Sequence, residues 1–200
     1  MIMKNKIVSS ACTKAALIAV AACVASPAAM AAIVCNTATT PLSIPADLSG
    51  VYLNLVTGAT GGSGGAVAGW DVNMYATGAA SLYFFWPGAA GTNGGVSLDG
   101  TTYAYLADGA SVGPASTFIA SSGGGGEPPF ANYRLTQSGG SLGVRFLNEA
   151  TAVTNYGWLK MSTTATTGFP ATITSFCFQN DGTAITTGTT PVSLQNFSVD

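Results

Sequence analysis

Short apolar runs cut by glycine dominate the chain from residue 51 onward, and no window sustains the i, i+3, i+4, i+7 spacing of an amphipathic helix. Alternation with a period of two recurs instead. Trp70, Val72 and Met74 alternate with Asp71, Asn73 and Tyr75, and Leu142, Val144 and Phe146 alternate with Gly143, Arg145 and Leu147. Successive side chains of a strand point to opposite faces, so each such segment offers one face to a core. The pattern predicts strands over residues 51–56, 70–75, 81–86, 95–98, 102–107, 116–120, 141–147, 153–161, 171–179 and 191–199. The run at 81–86 is nearly continuous in aromatics and ends at Pro87-Gly88, which fits a strand covered on both sides.

The polar punctuation supports the same reading. Asp99-Gly100, Asp108-Gly109 and Asn180-Asp181-Gly182 are turn sequences, and residues 148–151 turn the strand at 141–147 back into that at 153–161 as a hairpin. Residues 121–129 (SSGGGGEPP) form a loop too short to link domains. About nine short strands with glycine-rich turns and no helix predict an all-β fold. Uneven strand and loop lengths favour a two-sheet antiparallel β-sandwich, jelly-roll-like, over a barrel. No fixed-period repeat points to a solenoid or propeller.

The first residues follow different rules. Lys4, Lys6 and Lys14 precede an uncharged apolar stretch at 15–25. That stretch falls short of the roughly 20 residues needed to span a bilayer. Ser26-Pro27 breaks it, and Ala29-Met30-Ala31 supplies the small residues of a cleavage site. The three-part pattern predicts a secretory signal peptide over 1–31, one domain over 32–200, and no transmembrane segment once the signal is removed. Val20-Ala21-Ala22-Cys23 resembles a lipobox, making lipidation of Cys23 the lesser alternative, against which the ordinary cleavage region at 26–31 speaks.

Composition sharpens the picture once the signal is set aside. Cys12 and Cys23 leave with it, so Cys35 and Cys177 remain and are predicted to form a disulfide in an oxidising, extracellular or periplasmic setting. The mature chain keeps Arg134, Arg145 and Lys160 against eight acids, a formal charge of −5. Three cations cannot neutralise a phosphate backbone, which excludes nucleic acid as a partner, and an anionic membrane surface is excluded on the same ground. Charged residues make up 7% of the chain, so solubility rests on Thr, Ser, Asn and Gly.

A further signal comes from sequence likeness. Leu142-Gly143-Val144-Arg145-Phe146, then Asn155-Tyr156-Gly157-Trp158, then residues 173–178, then Asp181-Gly182 and Ala184-Ile185, resemble the C-terminal half of exported bacterial β-sandwich proteins. Many of those carry a PEP-CTERM-type sorting tag. The likeness covers about the last third of the chain. It implies a secreted or surface sandwich and carries over no catalytic residue. The ending Gln195-Asn196-Phe197-Ser198-Val199-Asp200 lacks the sorting motif, apolar span and basic tail of the tagged members, which is the expectation for export without tag-directed sorting.

The chemistry available is narrow. The chain has no histidine, which removes Ser-His-Asp and Cys-His systems and ordinary catalytic zinc. Gly61-Gly62-Ser63-Gly64-Gly65 matches the nucleophile-elbow pattern but lies in a glycine-rich stretch with no base. Lys160, alternating with Trp158 and Tyr156, reads as a solvated or cation–π position and not as half of a Ser-Lys dyad. Asp71, Glu127 and Glu149 are the acids available for glycosidic hydrolysis, the best enzymatic option, although nothing in their spacing pairs them. Asp99, Asp108 and Asp181 read as turn residues, and no metal or cofactor site is expected.

Aromatic residues are the remaining asset: Trp70, Tyr75, Tyr83, Phe84, Phe85, Trp86, Tyr103, Tyr105, Tyr156 and Trp158. Most are expected to fill the core. Tyr103 with Tyr105, and Tyr156 with Trp158, share a strand face and are the binding candidates for a sugar-stacking platform. The threonine clusters at 163–167 and 186–190 lack the regular ranks of an ice-binding surface. The sequence therefore predicts a non-catalytic exported surface, matrix or envelope protein. A carbohydrate-binding module contacting polysaccharide is the alternative and a glycosidase the third reading.

Overall fold

The computed structural model describes residues 31–36, 40–78, 80–88, 92–120 and 129–191. Residues 1–30 with Cys12 and Cys23, where the sequence predicts a signal peptide, the loop acid Glu127 and almost all of the strand expected at 191–199 lie outside the described residues. Thirteen strands form the described domain. They are β1 (Ile33–Cys35), β2 (Leu42–Ile44), β3 (Val51–Leu53), β4 (Thr60–Gly61), β5 (Val72–Ala76), β6 (Leu82–Phe85), β7 (Gly94–Val96), β8 (Ser111–Val112), β9 (Phe118–Ile119), β10 (Gln137–Asn148), β11 (Val153–Thr163), β12 (Ala171–Gln179) and β13 (Ile185–Thr186). Among the described residues the only helical elements are two 3₁₀ turns, Gly64–Ala66 and Ala131–Arg134.

These strands make an all-β antiparallel sandwich. The larger sheet runs β1-β12-β11-β10-β7-β9, with β2 pairing the other end of β12; the smaller runs β4-β3-β5-β6; and β13-β8 is a separate two-stranded ribbon. Each sheet holds a local meander, β3-β5-β6 in one and β10-β11-β12 in the other, while β1–β12, β2–β12 and β7–β10 join strands far apart in sequence. The 148–151 turn forms as expected. The Asn148 backbone carbonyl accepts from Ala152 N and its side-chain oxygen from Ala150 N, which fixes the β10–β11 register from Asn148↔Val153 to Ser141↔Lys160.

The inner faces meet in one core. Val51, Leu53, Val72, Met74, Leu82 and Phe84 come from the smaller sheet, and Leu142, Val144, Phe146, Leu159, Phe176 and Phe178 from the larger. The alternation that predicted β10 and β5 thus places Leu142, Val144, Phe146, Val72 and Met74 inward. Trp70, expected on the same face as Val72 and Met74, precedes β5 and lies instead against Tyr52 and Phe85, because the chain turns at Gly69 before the strand begins. The strand expected at 102–107 is not regular structure. That segment makes only single bridges, Tyr103 to Ser97 and Leu106 to Ser141, because its groups serve other partners. The Tyr103 amide reaches Pro129 O, and the Tyr103 carbonyl accepts from the Asn132 side chain. The strand expected at 51–56 stops at Leu53, because the Asn54 side-chain oxygen accepts from Val56 N and Thr57 N and turns the chain.

Cys35 and Cys177 form the expected disulfide. They face each other directly in the β1–β12 register, with Cα atoms 4.1 Å apart and a separation of 142 positions in sequence. Among the described residues no helix is long and apolar enough to cross a membrane.

Candidate functional site

The four aromatic candidates from sequence do not form an outward platform. Tyr103 is fully buried in the main core, where its hydroxyl accepts a 2.8 Å hydrogen bond from Trp86 Nε1 and its ring packs on Phe84 and Phe130. Tyr105 is half-buried. Its hydroxyl donates to Met161 O at 2.8 Å and accepts from Gly140 N at 2.9 Å, and burial raises its ionisation above the ordinary tyrosine value. Tyr156 and Trp158 do share the outer face of the larger sheet, as alternation required. That face is covered, however, by Val96, Ala104, Leu106, Val112 and Ile185, which close a second, smaller core over Trp158 and Cys177. Gly143 makes room for it: a Cβ there would meet Val96, Leu106 and Val112 at 2.7–2.9 Å. Trp158 is 1% exposed, so it packs and does not bind.

The outer face of the smaller sheet is different. Tyr52, Asn73 and Phe85 stand in line across β3, β5 and β6, paired Tyr52↔Asn73 and Asn73↔Phe85. Their neighbours Val51, Leu53, Val72, Met74, Leu82 and Phe84 point into the core, so this row faces away from it. Trp70, just before β5, lies against the row. Its ring stacks on Phe85 with centroids 5.7 Å apart and planes at 23°, and meets Tyr52 edge-on at 4.9 Å. Tyr52 and Trp70 are half-buried, and Phe85 is 40% exposed, the one ring in the exposed class among the described residues. The row continues to Tyr75 and Tyr83, ring centroids 5.8 Å apart, the latter capped by the Arg134 guanidinium 4.5 Å from its centroid.

Beside Trp70 opens a pocket of about 280 Å³, lined by Gly69, Trp70, Asp71, Pro87, Thr92, Asn93, Leu147 and Glu149 among others. Two of the three acids singled out from sequence therefore meet at one place. Asp71 is buried and its Oδ2 accepts from Leu55 N at 2.7 Å. Burial, opposed by that hydrogen bond and aided by the negative charge of Glu149, pushes the Asp71 carboxyl up to about 8. Glu149 is oriented by Asn54, whose Nδ2 donates to Glu149 Oε1 at 3.1 Å as well as to the Ala68 and Gly69 carbonyls at 2.9 and 2.8 Å. Gly69 has φ +61, and a Cβ there would run into the Glu149 carboxylate, so only glycine lets the acid sit against this turn.

The remaining sequence motifs resolve into structure. The glycine-rich 61–65 stretch, with its nucleophile-elbow pattern, packs on the site: Ser63 opens the short 3₁₀ turn and Gly64 lies against Trp70 and Tyr52. Lys160 pairs with Asp108 at 2.8 Å. Asp99 accepts from Thr102 N, Thr101 N and the Ser97 hydroxyl, which holds its carboxyl far below the usual range. Asp181 is lowered by the Thr183 side chain and amide. Among the described residues no group of three or more His, Cys, Asp or Glu side chains is placed to hold a metal ion.

No family model, curated protein or solved structure matches this chain.

Tyr52 was the ring that sequence reasoning passed over, although Trp70 and Phe85 stood among the aromatics it counted. The available signal was the polar Asn73 inside an otherwise apolar and aromatic strand. A polar residue at an outward position between two rings marks a face that is not simply core.

Proposed function

We propose that this chain is an exported, non-catalytic β-sandwich acting at the cell surface, in a matrix or in the envelope, and that its contact is with saccharide through the Tyr52–Trp70–Phe85 ledge. The observation that carries this reading is the half-exposed Trp70–Phe85 stack beside a pocket bearing Asn93, Thr92 and the two carboxyls. Aromatic faces accept the apolar face of a pyranose, while a few convergent polar groups fix its hydroxyls; an exposed apolar patch rimmed by such groups is the usual form of a binding surface. The disulfide accords with export to an oxidising compartment. The likeness of the last third of the chain to exported bacterial sandwiches supports the same placement. With no cation lining the pocket, the surface suits neutral polysaccharide over nucleic acid or uronate chains.

The test is co-sedimentation of the mature domain with cellulose, chitin and xylan. Binding to at least one is expected, with loss on Phe85→Ala while the circular dichroism spectrum stays unchanged. Equal binding by Phe85→Ala, or no binding by the parent domain to any of the three, overturns the reading.

A further inference from the structure

Asn73 sits where a strand should present a solvated side chain, yet it is 3% exposed, and its Oδ1 is buried without a hydrogen-bond partner. It is flanked in register by Tyr52 on one side and Phe85 on the other. Trp70 touches both of those rings, so its indole lies across Asn73 and keeps water from it. A buried amide oxygen left without a donor is a rare feature of folded proteins and one that calls for a reason. Core packing gives none, since Asn73 leaves β5 on the face opposite to Val72 and Met74, the side chains that join the main core. Nothing in the local fold gives one either, since no turn or cap uses that oxygen.

The covering ring is held differently from the other two tryptophans. Trp86 and Trp158 are buried, at 4% and 1% exposure, whereas Trp70 is half-buried. It follows Gly69, whose φ of +61 is a left-handed conformation that glycine adopts without strain. Its far side is bounded by Gly64, which presents backbone and no side chain to it. Turning the indole aside leaves a slot with two aromatic walls, Tyr52 and Phe85, and one hydrogen-bond acceptor at its floor.

We propose that Asn73 is the floor of the saccharide site, accepting a hydroxyl donated by a sugar ring seated between Tyr52 and Phe85, and that Trp70 is the cover displaced when that ring enters. The inference rests on the saccharide reading given above and deepens it by naming the group that is recognised. A neutral hydroxyl donor satisfies the orphaned oxygen; a carboxylate or sulfate has no proton to give it. Sugar hydroxyls supply that proton, and the negative charge of Glu149 along the adjoining pocket disfavours anionic rings, so neutral sugars are the ligand class.

The experiment titrates the mature domain with cellohexaose, xylohexaose and chitohexaose, and repeats the titration on Asn73→Leu and Phe85→Ala, with thermal unfolding of each. Asn73→Leu keeps the volume and removes the acceptor. Its expected signature is at least a roughly tenfold loss of affinity with a melting temperature no lower than that of the parent, since the unpaired oxygen is gone. Asn73→Ala carries the same expectation for affinity and serves if the leucine variant folds poorly. Acrylamide quenching of tryptophan emission, which reaches Trp70 and not the buried Trp86 or Trp158, is expected to change on adding the bound hexasaccharide. Parent-like affinity in both Asn73 variants alongside loss in Phe85→Ala overturns the floor and leaves the ledge intact. Failure of the parent to bind any hexasaccharide overturns both. Unchanged quenching on saturation overturns the displaced cover.

Discussion

The two sheets share one core but treat their outer faces in opposite ways. On the larger sheet, Trp158 and Tyr156 stand at outward positions and are roofed by Val96, Leu106, Val112 and Ile185, delivered by the β8–β13 ribbon and the segments around it. On the smaller sheet, Tyr52, Asn73 and Phe85 stand at equally outward positions, and only a glycine-rich turn and one half-exposed indole lie over them. Strand alternation decides which side chains leave the main core. What happens to them next depends on the connecting segments, and here those segments build a second core on one side and leave a ledge on the other.

Four measurements break or sharpen that contrast. Trp158→Ala is expected to cost about 4 kcal/mol in urea unfolding, because it empties a roofed site that cannot readily collapse. The double substitution Cys35→Ser, Cys177→Ser removes the clasp beneath the same roof and is expected to cost about 3 kcal/mol, with saccharide binding at the opposite face unchanged. A loss of binding in that variant would mean the two faces are coupled and the contrast is too simple.

Asp71 offers a pH-dependent test at the border of the open face. Its folded-state value, about 8, stands above its value in the unfolded chain. The folded protein therefore holds a proton that the unfolded chain releases, and stability falls as pH rises between about 4 and about 8, by at most about 1.4 kcal/mol per pH unit. In Asp71→Asn that decline is expected to flatten; a parent-like slope in thermal melts across this range would remove Asp71 as its source. The smallest effect belongs to Phe85→Ala, expected to change stability by less than about 1 kcal/mol because the ring is already 40% in solvent. If it cost as much as Trp158→Ala, the ledge would be core under another name.

The long hairpin and the strand after it were the most legible part of the fold. Strands β10 to β12 are long and alternate over most of their length, broken in β12 by a bulge at Thr174 that shifts the inward positions from Ile173 to Phe176, and β12 matches its predicted bounds of 171–179. The two-residue strands β4, β8 and β13 were not foreseen, since two residues carry no period. Residues 102–107 alternate like a strand yet are not one, because side chains and distant carbonyls take their backbone partners. The site was half legible. Sequence named Asp71 and Glu149 and could not pair them, because two positions 78 apart are brought together only by Asn54 reaching across to Glu149 and by packing of the sheets. It placed Tyr156 and Trp158 on one shared face, as found, and could not say whether that face is open, since alternation says nothing of what a loop later lays on top.

The position of Cys35 beside Cys177 also has a bearing on how the chain is made. A polypeptide that emerges N-terminus first presents Cys35 early, and its mate arrives only after 142 further residues. Chains cut short anywhere before β12 have no thiol to meet it, whether the cut comes from stalled synthesis or from proteolysis. Covalent closure of this fold therefore certifies passage through β12: it can be stamped only on a molecule whose ledge, long hairpin and first roof strand β8 have been delivered, with β13 alone of the described strands still to follow.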